Sequence, residues 1–328
     1  MNIFSSFIGH RIYTHFFSHI GFINPVGRIR SGWRFLIFVM TFSVVSIALT
    51  EWLKLIISNL PVDEATKNIL FFIFVNLLAF ICAVFVGWLC GKLLEALPFR
   101  ALGCWFTKNW FKDLVLGLVI GTLSILFATV ISMTLGGLSF QLNQTVNSTE
   151  ILKTLGISWL VFVIGAASEE TVYRGYVVQT FSRAKLIWFG ILLTSLPFAL
   201  GHAGNPDVSI FALINTALAG IWFGVAYLKT RNLWFPFGLH LMWNWVQGAF
   251  LGIPVSGIRV ITPNPILQAI DIGPTWLTGG HYGLEAGFAC TVALILSTLL
   301  IWFLPILKPT TEMLALTNEE NPKEDFLA

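Results

Sequence analysis

The chain has 328 residues, of which 56% are hydrophobic and only 11% charged, with a mean hydropathy of +0.81. Soluble domains carry roughly a quarter charged residues, so this sequence lacks the polar surface to face water all round and is expected to dissolve in lipid. A formal net charge of +3 excludes the strongly basic footprint of a nucleic-acid binder and leaves the positive charges to set orientation in a bilayer.

In chain order, residues 1–31 read as a cytoplasmic or interfacial segment. Phe4, Phe7, Ile8, Ile12, Phe16 and Phe17 offer an apolar face, while His10, Arg11, His15 and His19 interrupt it and argue against a cleaved signal. Eight apolar windows follow, at 33–57, 68–94, 114–135, 155–180, 186–202, 208–228, 233–253 and 284–307. Crossing ~30 Å of hydrocarbon as a helix takes ~20 such residues. The fifth window is the shortest, and Pro197 is expected to kink it. The expected fold is all-α: a polytopic transmembrane helix bundle of about eight spans, with residues 32–307 as one membrane domain.

Cys82, Cys90, Cys104 and Cys290 lie in or beside apolar stretches without a CxxC pair and read as small buried hydrophobes. The insert over 254–283 contains Gly257, Pro263, Pro265, Gly273 and Pro274 and predicts an ordered loop or re-entrant cap. Residues 308–328 carry Glu312, Glu319, Glu320, Glu324 and Asp325 and read as a solvated cytoplasmic tail. Lysine and arginine in the short connections fix the orientation. Arg28, Arg30, Lys92, Arg100, Lys108, Lys112, Arg183, Lys185, Lys229, Arg231 and Lys308 alternate with a set poor in unaccompanied positive charge, so both termini are expected to be cytoplasmic.

What interrupts the apolar helices carries the chemistry. Glu169, Glu170 and Arg174 fall inside the fourth window, where each charge costs ~2.5–3.5 kcal/mol near a helix centre. Glu170 and Arg174 are four apart on one face and can pair, whereas Glu169 is rotated about 100° away and stays free to act. His202 ends the fifth window, and His240 and Asn244 lie one turn apart in the seventh. Counted from the basic end, Glu169 lies ~21 Å deep, His202 ~25 Å, His240 ~13 Å and Asn244 ~20 Å, which permits one shared polar site. A lone histidine or an isolated ion pair is usually structural, but these groups on three helices at comparable depth point to function. By contrast Asn76, Ser124 and Asn215 read as interhelical hydrogen bonds, and His281 as a loop residue.

A glutamate in apolar surroundings has its ionised form disfavoured and can take a proton from water; histidine can share that work, and an asparagine amide can donate to an oxyanion. The parts fit hydrolysis of an acyl bond by activated water. Ser168 adjoins Glu169 but cannot face it on a helix, so no nucleophile triad is formed.

The three motifs Glu169-Glu170-x-x-x-Arg174, Phe198-x-x-x-His202 and His240-x-x-x-Asn244 resemble, in order, those of the CPBP intramembrane proteases, the family of type II CAAX prenyl endopeptidases and bacterial bacteriocin-processing or immunity relatives. The likeness covers about 155–253, and the segments 27–34 and 276–285 also resemble bacterial members. The resemblance implies a bundle of about eight helices in a bacterial inner or plasma membrane and an endopeptidase opening within the bilayer. It makes Glu169 the general base aided by His202, gives His240 and Asn244 the oxyanion, and has Glu170 with Arg174 hold the site. The family is often labelled metalloprotease. There is no HExxH here, so a zinc would have to use His202, His240 and Glu169, and activation without metal is the preferred expectation. The expected partners are a membrane-associated peptide or protein substrate and lipid. Two rival functions are a non-catalytic immunity or regulatory binder and a transporter with a proton relay, the latter disfavoured by the absence of an internal repeat.

Overall fold

The computed structural model describes residues 21–24 and 27–320 of the 328. The interfacial helix expected from Phe4 to Phe17 lies outside the described residues, as do Glu324 and Asp325.

The chain is mostly helical. Helices α1 (Ser31–Ser58) and α2 (Glu64–Glu95) form a pair, and Asp63 caps α2 by accepting from the Thr66 amide at 2.9 Å. Helix α3 (Trp110–Thr134) leads into strand β1 (Leu138–Leu142). Helix α4 (Ser148–Arg174), capped by Asn147, breaks at Gly175 and resumes as α5 (Tyr176–Arg183). Then come α6 (Ile187–Leu200), α7 (Ile210–Thr230) and α8 (Trp234–Trp245), which runs on as a π-turn over Val246–Phe250. Strand β2 (Leu267–Asp271), helix α9 (Phe288–Phe303) and helix α10 (Thr311–Asn318) complete the order.

Every apolar window coincides with helix, yet among the described residues five helical segments are long and apolar enough to cross a bilayer: α1, α2, α3, the continuous α4–α5 stretch and α7. Helices α6, α8 and α9 have 14, 12 and 16 residues. At 1.5 Å per residue they reach ~18–24 Å, short of the ~30 Å hydrocarbon thickness. Met40, Trp52 and Leu55 on α1 are each more than 60% exposed, an apolar surface suited only to lipid.

Small residues bring the helices that matter together. A Cβ on Gly117 or Gly121 of α3 would lie 2.3 Å from the Phe235 carbonyl oxygen or 2.5 Å from that of Leu239, so α3 and α8 meet backbone to backbone. Gly220 and Gly224 similarly seat α7 against Ser195 and Ile191 of α6. Both pairs are spaced by four and so share a helix face.

The expected helical bundle carries one small addition: β1 and β2 pair antiparallel from Leu138 opposite Asp271 to Leu142 opposite Leu267, which ties the Gly- and Pro-rich insert to the end of α3. One expectation needs correction: the acidic tail is not solvated over Thr311–Asn318. Thr310 caps α10 through the Met313 amide at 3.1 Å, Met313 and Leu316 pack fully buried against Leu97 and Ala101, Glu312 pairs with Arg100 at 2.7 Å, and Glu320 with Arg34 at 2.8 Å. Its carboxylates find cations that the bundle presents at that end. Of the predicted interhelical bonds, Ser124 donates to or accepts from Ser297 at 2.8 Å and Asn215 donates to the Gly287 carbonyl at 3.0 Å, whereas Asn76 donates to Phe72 in its own helix.

Gly117→Ala is expected to destabilise the fold by about 1–3 kcal/mol, because its Cβ meets fixed backbone. Gly156→Ala on α4, whose Cβ meets nothing within 4 Å, is expected to leave stability unchanged or slightly raised. Thermal unfolding of both variants in one detergent measures the contrast.

Candidate active site

Glu170 is the hub of the polar residues within the bundle. Its Oε1 accepts from Arg174 Nη1 at 3.2 Å and from His240 Nδ1 at 2.9 Å, with all three side chains buried. Arg174 Nη2 donates to the Gly220 carbonyl at 3.0 Å, and the guanidinium lies 4.6 Å from the Phe198 ring centroid and 5.0 Å from that of Phe223. One carboxylate thus joins α4 to α8, and its arginine joins them to α7 and α6. The cation faces aromatic rings in place of water, an interaction worth ~2 kcal/mol or more when desolvated.

Glu169 turns the other way. Its side chain is 31% exposed, on the wall of a cavity of about 270 Å³. His202, His240 and Asn244 line the same cavity, so four of the six residues singled out by sequence converge, and Glu170 and Arg174 stand directly behind them. Glu169 Oε2 lies 3.7 Å from His240 Nε2. His240 stacks on Phe223, with centroids 4.6 Å apart and planes 22° apart, which fixes the ring while Glu170 holds Nδ1. Donation to a carboxylate sets Nδ1 as the protonated nitrogen, and Nε2 is what the cavity meets. His202 is held alike: its Nδ1 is 2.8 Å from the Phe198 carbonyl, so that nitrogen donates and Nε2 is left for water or substrate. Among the described residues the Asn244 side chain has no protein hydrogen-bond partner, and it lines the cavity.

Local sequence explains these placements. The i, i+4 spacing stacks Glu170 over Arg174 and His240 over Asn244. The helix break at Gly175, where a Cβ would lie 2.3 Å from the Thr171 carbonyl oxygen, ends α4 at Arg174. Helix α6 stops at Leu200, so His202 hangs at the end of a helix with a loop beyond it.

The sequence reading missed Glu285. It follows the insert, lines the cavity, and accepts at Oε2 from both the amide and the hydroxyl of Ser256, the latter at 2.9 Å. Asn205 donates to the Ser256 carbonyl at 3.0 Å, and Asn215 to the Glu285 carbonyl at 2.9 Å, so the loops before α7 and before α9 are sewn into one rim. The available signal was an acid at the very start of an apolar window.

Among the described residues no three His, Cys, Asp or Glu side chains gather as a metal ion would require. His240 Nδ1 and His202 Nδ1 are committed to Glu170 and to Phe198, which leaves Nε2 as the free nitrogen of each ring.

Residues 151–246 match the family model of type II CAAX prenyl endopeptidases described as Rce1-like. The match runs from the first turn of α4 to the end of α8 and contains Glu169, Glu170, Arg174, His202, His240 and Asn244. This segment is similar to the Rce1-like domain of those endopeptidases and is built into a membrane-type helix bundle. The chain is also similar to the uncharacterized protein YyaK of Bacillus subtilis (strain 168), with 23% identity over 305 residues, covering 86% of this chain and 95% of the relative.

Removing Glu170 should unravel this arrangement, since breaking a buried pair costs about 3–5 kcal/mol. Glu170→Ala is expected to lower the unfolding midpoint markedly, whereas Glu169→Gln, in the cavity wall, should stay near wild type. Parallel thermal scans of the two purified variants separate the roles.

Proposed function

We propose that the chain is an intramembrane endopeptidase that hydrolyses a peptide bond of a membrane-associated protein or peptide with water activated by Glu169. The observation that carries this reading is the convergence of Glu169, His202, His240 and Asn244 on one cavity, backed by the Glu170–Arg174 pair. The cavity's volume of about 270 Å³ is room for a water and a short stretch of peptide.

In the reaction, Glu169 takes a proton from a water positioned with the help of His202 Nε2. The water oxygen attacks the scissile carbonyl carbon, and the carbonyl π-electrons move onto oxygen. The Asn244 amide donates to that oxyanion, and so does Nε2 of His240 when the ring is an imidazolium, protonated on both nitrogens between Glu169 and Glu170. Collapse restores the carbonyl, breaks the C–N bond, and returns the proton from Glu169 to the leaving amine. Glu170 and Arg174 take no part in bond making and hold His240 in place. No step is routed through a metal, since no three such ligands gather among the described residues.

Against a panel of membrane peptides in reconstituted vesicles, Glu169→Gln and His202→Ala are expected to lose about 10²–10⁴-fold in rate. Asn244→Ala should lose about 10²–10³-fold, and a zinc chelator should leave wild type unchanged. A Glu169→Gln protein that keeps full biological activity would overturn the peptidase reading in favour of a membrane binder.

A further inference from the structure

The two ends of the bundle differ in charge and in openness. Contacts place many cations together at one end: Lys112 Nζ donates to the Ile306 carbonyl at 3.2 Å, Lys229 to that of Trp302 at 2.8 Å, Lys185 Nζ bonds the Asn318 carbonyl, and Arg100 pairs with Glu312 at 2.7 Å. At the other end Lys54, Lys67 and Lys153 each pair with a glutamate three residues earlier, at 2.6, 2.9 and 2.8 Å. An excess of lysine and arginine in short connections marks the cytoplasmic side.

The exposed part of the cavity's lining, at Gly201, lies away from that side. Behind the lining stand Glu170 and Arg174, and further along the same chain toward the basic end Tyr176, with Tyr227 on α7, all within 1% of full burial. Toward the other end stands the rim of Gly201–Ser209 and Ser256. Helix α6, ~21 Å long, cannot cross ~30 Å of hydrocarbon, so this irregular rim sits at membrane depth. Irregular backbone is tolerated there only against protein or water, and Gly201, Ala203 and Gly204 are exposed. Water therefore reaches His202 from the non-basic end.

A second opening adds the substrate's shape. An apolar slot of about 440 Å³ runs between α2 and α4 past Ile69 and Ile157 to Lys153, and it shares Phe72, Val161, Ile258 and Ile261 with the cavity. The two adjoin across these side chains.

We propose that the site is entered from the non-cytoplasmic side, and that its substrate is an exported peptide whose scissile bond reaches Glu169 while an apolar flank lies in the slot between α2 and α4. The substrate part of this rests on the peptidase reading above; the direction of entry does not. Cytosolic CAAX-type peptides are thereby excluded as natural substrates.

The test uses added cysteines in the full chain, with wild type as the background for its four native ones. Gly204, whose Cβ would meet nothing within 4 Å, becomes Gly204→Cys at the rim, and exposed Lys308 becomes Lys308→Cys at the basic end. With a membrane-impermeant maleimide on intact cells, Gly204→Cys should label several-fold above wild type, and Lys308→Cys only after permeabilisation. The reverse order, or early labelling of both, overturns the assignment. In vesicles, Ile157→Cys should react with a lipid-dissolved pyrene maleimide. A model peptide with a leucine-rich flank should slow that reaction several-fold, and the same peptide without the flank should not; equal effects overturn the slot's role. Neither readout requires cleavage, so an inactive protein that labels as expected would sink the peptidase reading alone.

Discussion

The structure turns on a carboxylate that cannot be left alone in a low-dielectric interior. Glu170 is compensated from both sides, by Arg174 one turn along its own helix and by His240 on α8. Moving a carboxylate out of water costs several kcal/mol even after relaxation, and that cost is recovered only when geometry and hydrogen bonds are both good. Once Glu170 is pinned, its neighbour has no choice: Glu169 must project about 100° around α4, and that direction is the cavity. The structural pair thereby aims the free acid.

Such pinning works only if the three helices approach closely enough, and the glycines supply that closeness. Gly220 serves twice, because the absence of a side chain lets α7 settle on Ser195 while its carbonyl accepts from Arg174. On the opposite wall, Gly117 and Gly121 let α3 bear directly on the backbone of Phe235 and of Leu239, the residue just before His240. With no hydrophobic drive between helices in lipid, backbone contact of this kind is a main source of association. Packing and electrostatics therefore set the position of the same imidazole.

Much of the site was legible because charge in an apolar window is expensive and helical spacing is regular. Glu169, Glu170, Arg174, His202, His240 and Asn244 were all visible on those two grounds. Glu285 was not, because its place depends on how the long insert folds back, and that follows from the β1–β2 pairing and the Ser256 contacts, which no local periodicity announces. The tail misled for the opposite reason. Its acids resemble those of a solvated segment, but the bundle's basic end holds arginines that need partners, and Met313 and Leu316 supply a small apolar face. Asn76 misled more simply, since a polar side chain inside an apolar helix can satisfy itself on the carbonyl one turn back.

That basic end bears on the site as well. Glu95, fully buried at the end of α2, accepts from Arg34 of α1 at 2.7 Å and twice from Arg183 of α5, at 2.6 and 2.7 Å. Arg34 also reaches Glu320 beyond α10. The stretch from Glu170 to Arg183 is thus gripped at both ends by buried ion clusters, with the break at Gly175 between them. A plain apolar helix could rotate or slide against its neighbours at little cost, since one hydrocarbon contact replaces another. A helix with charged partners at two depths can do neither without stranding a charge. The arginines at the basic end thereby set the register of the helix that carries Glu169.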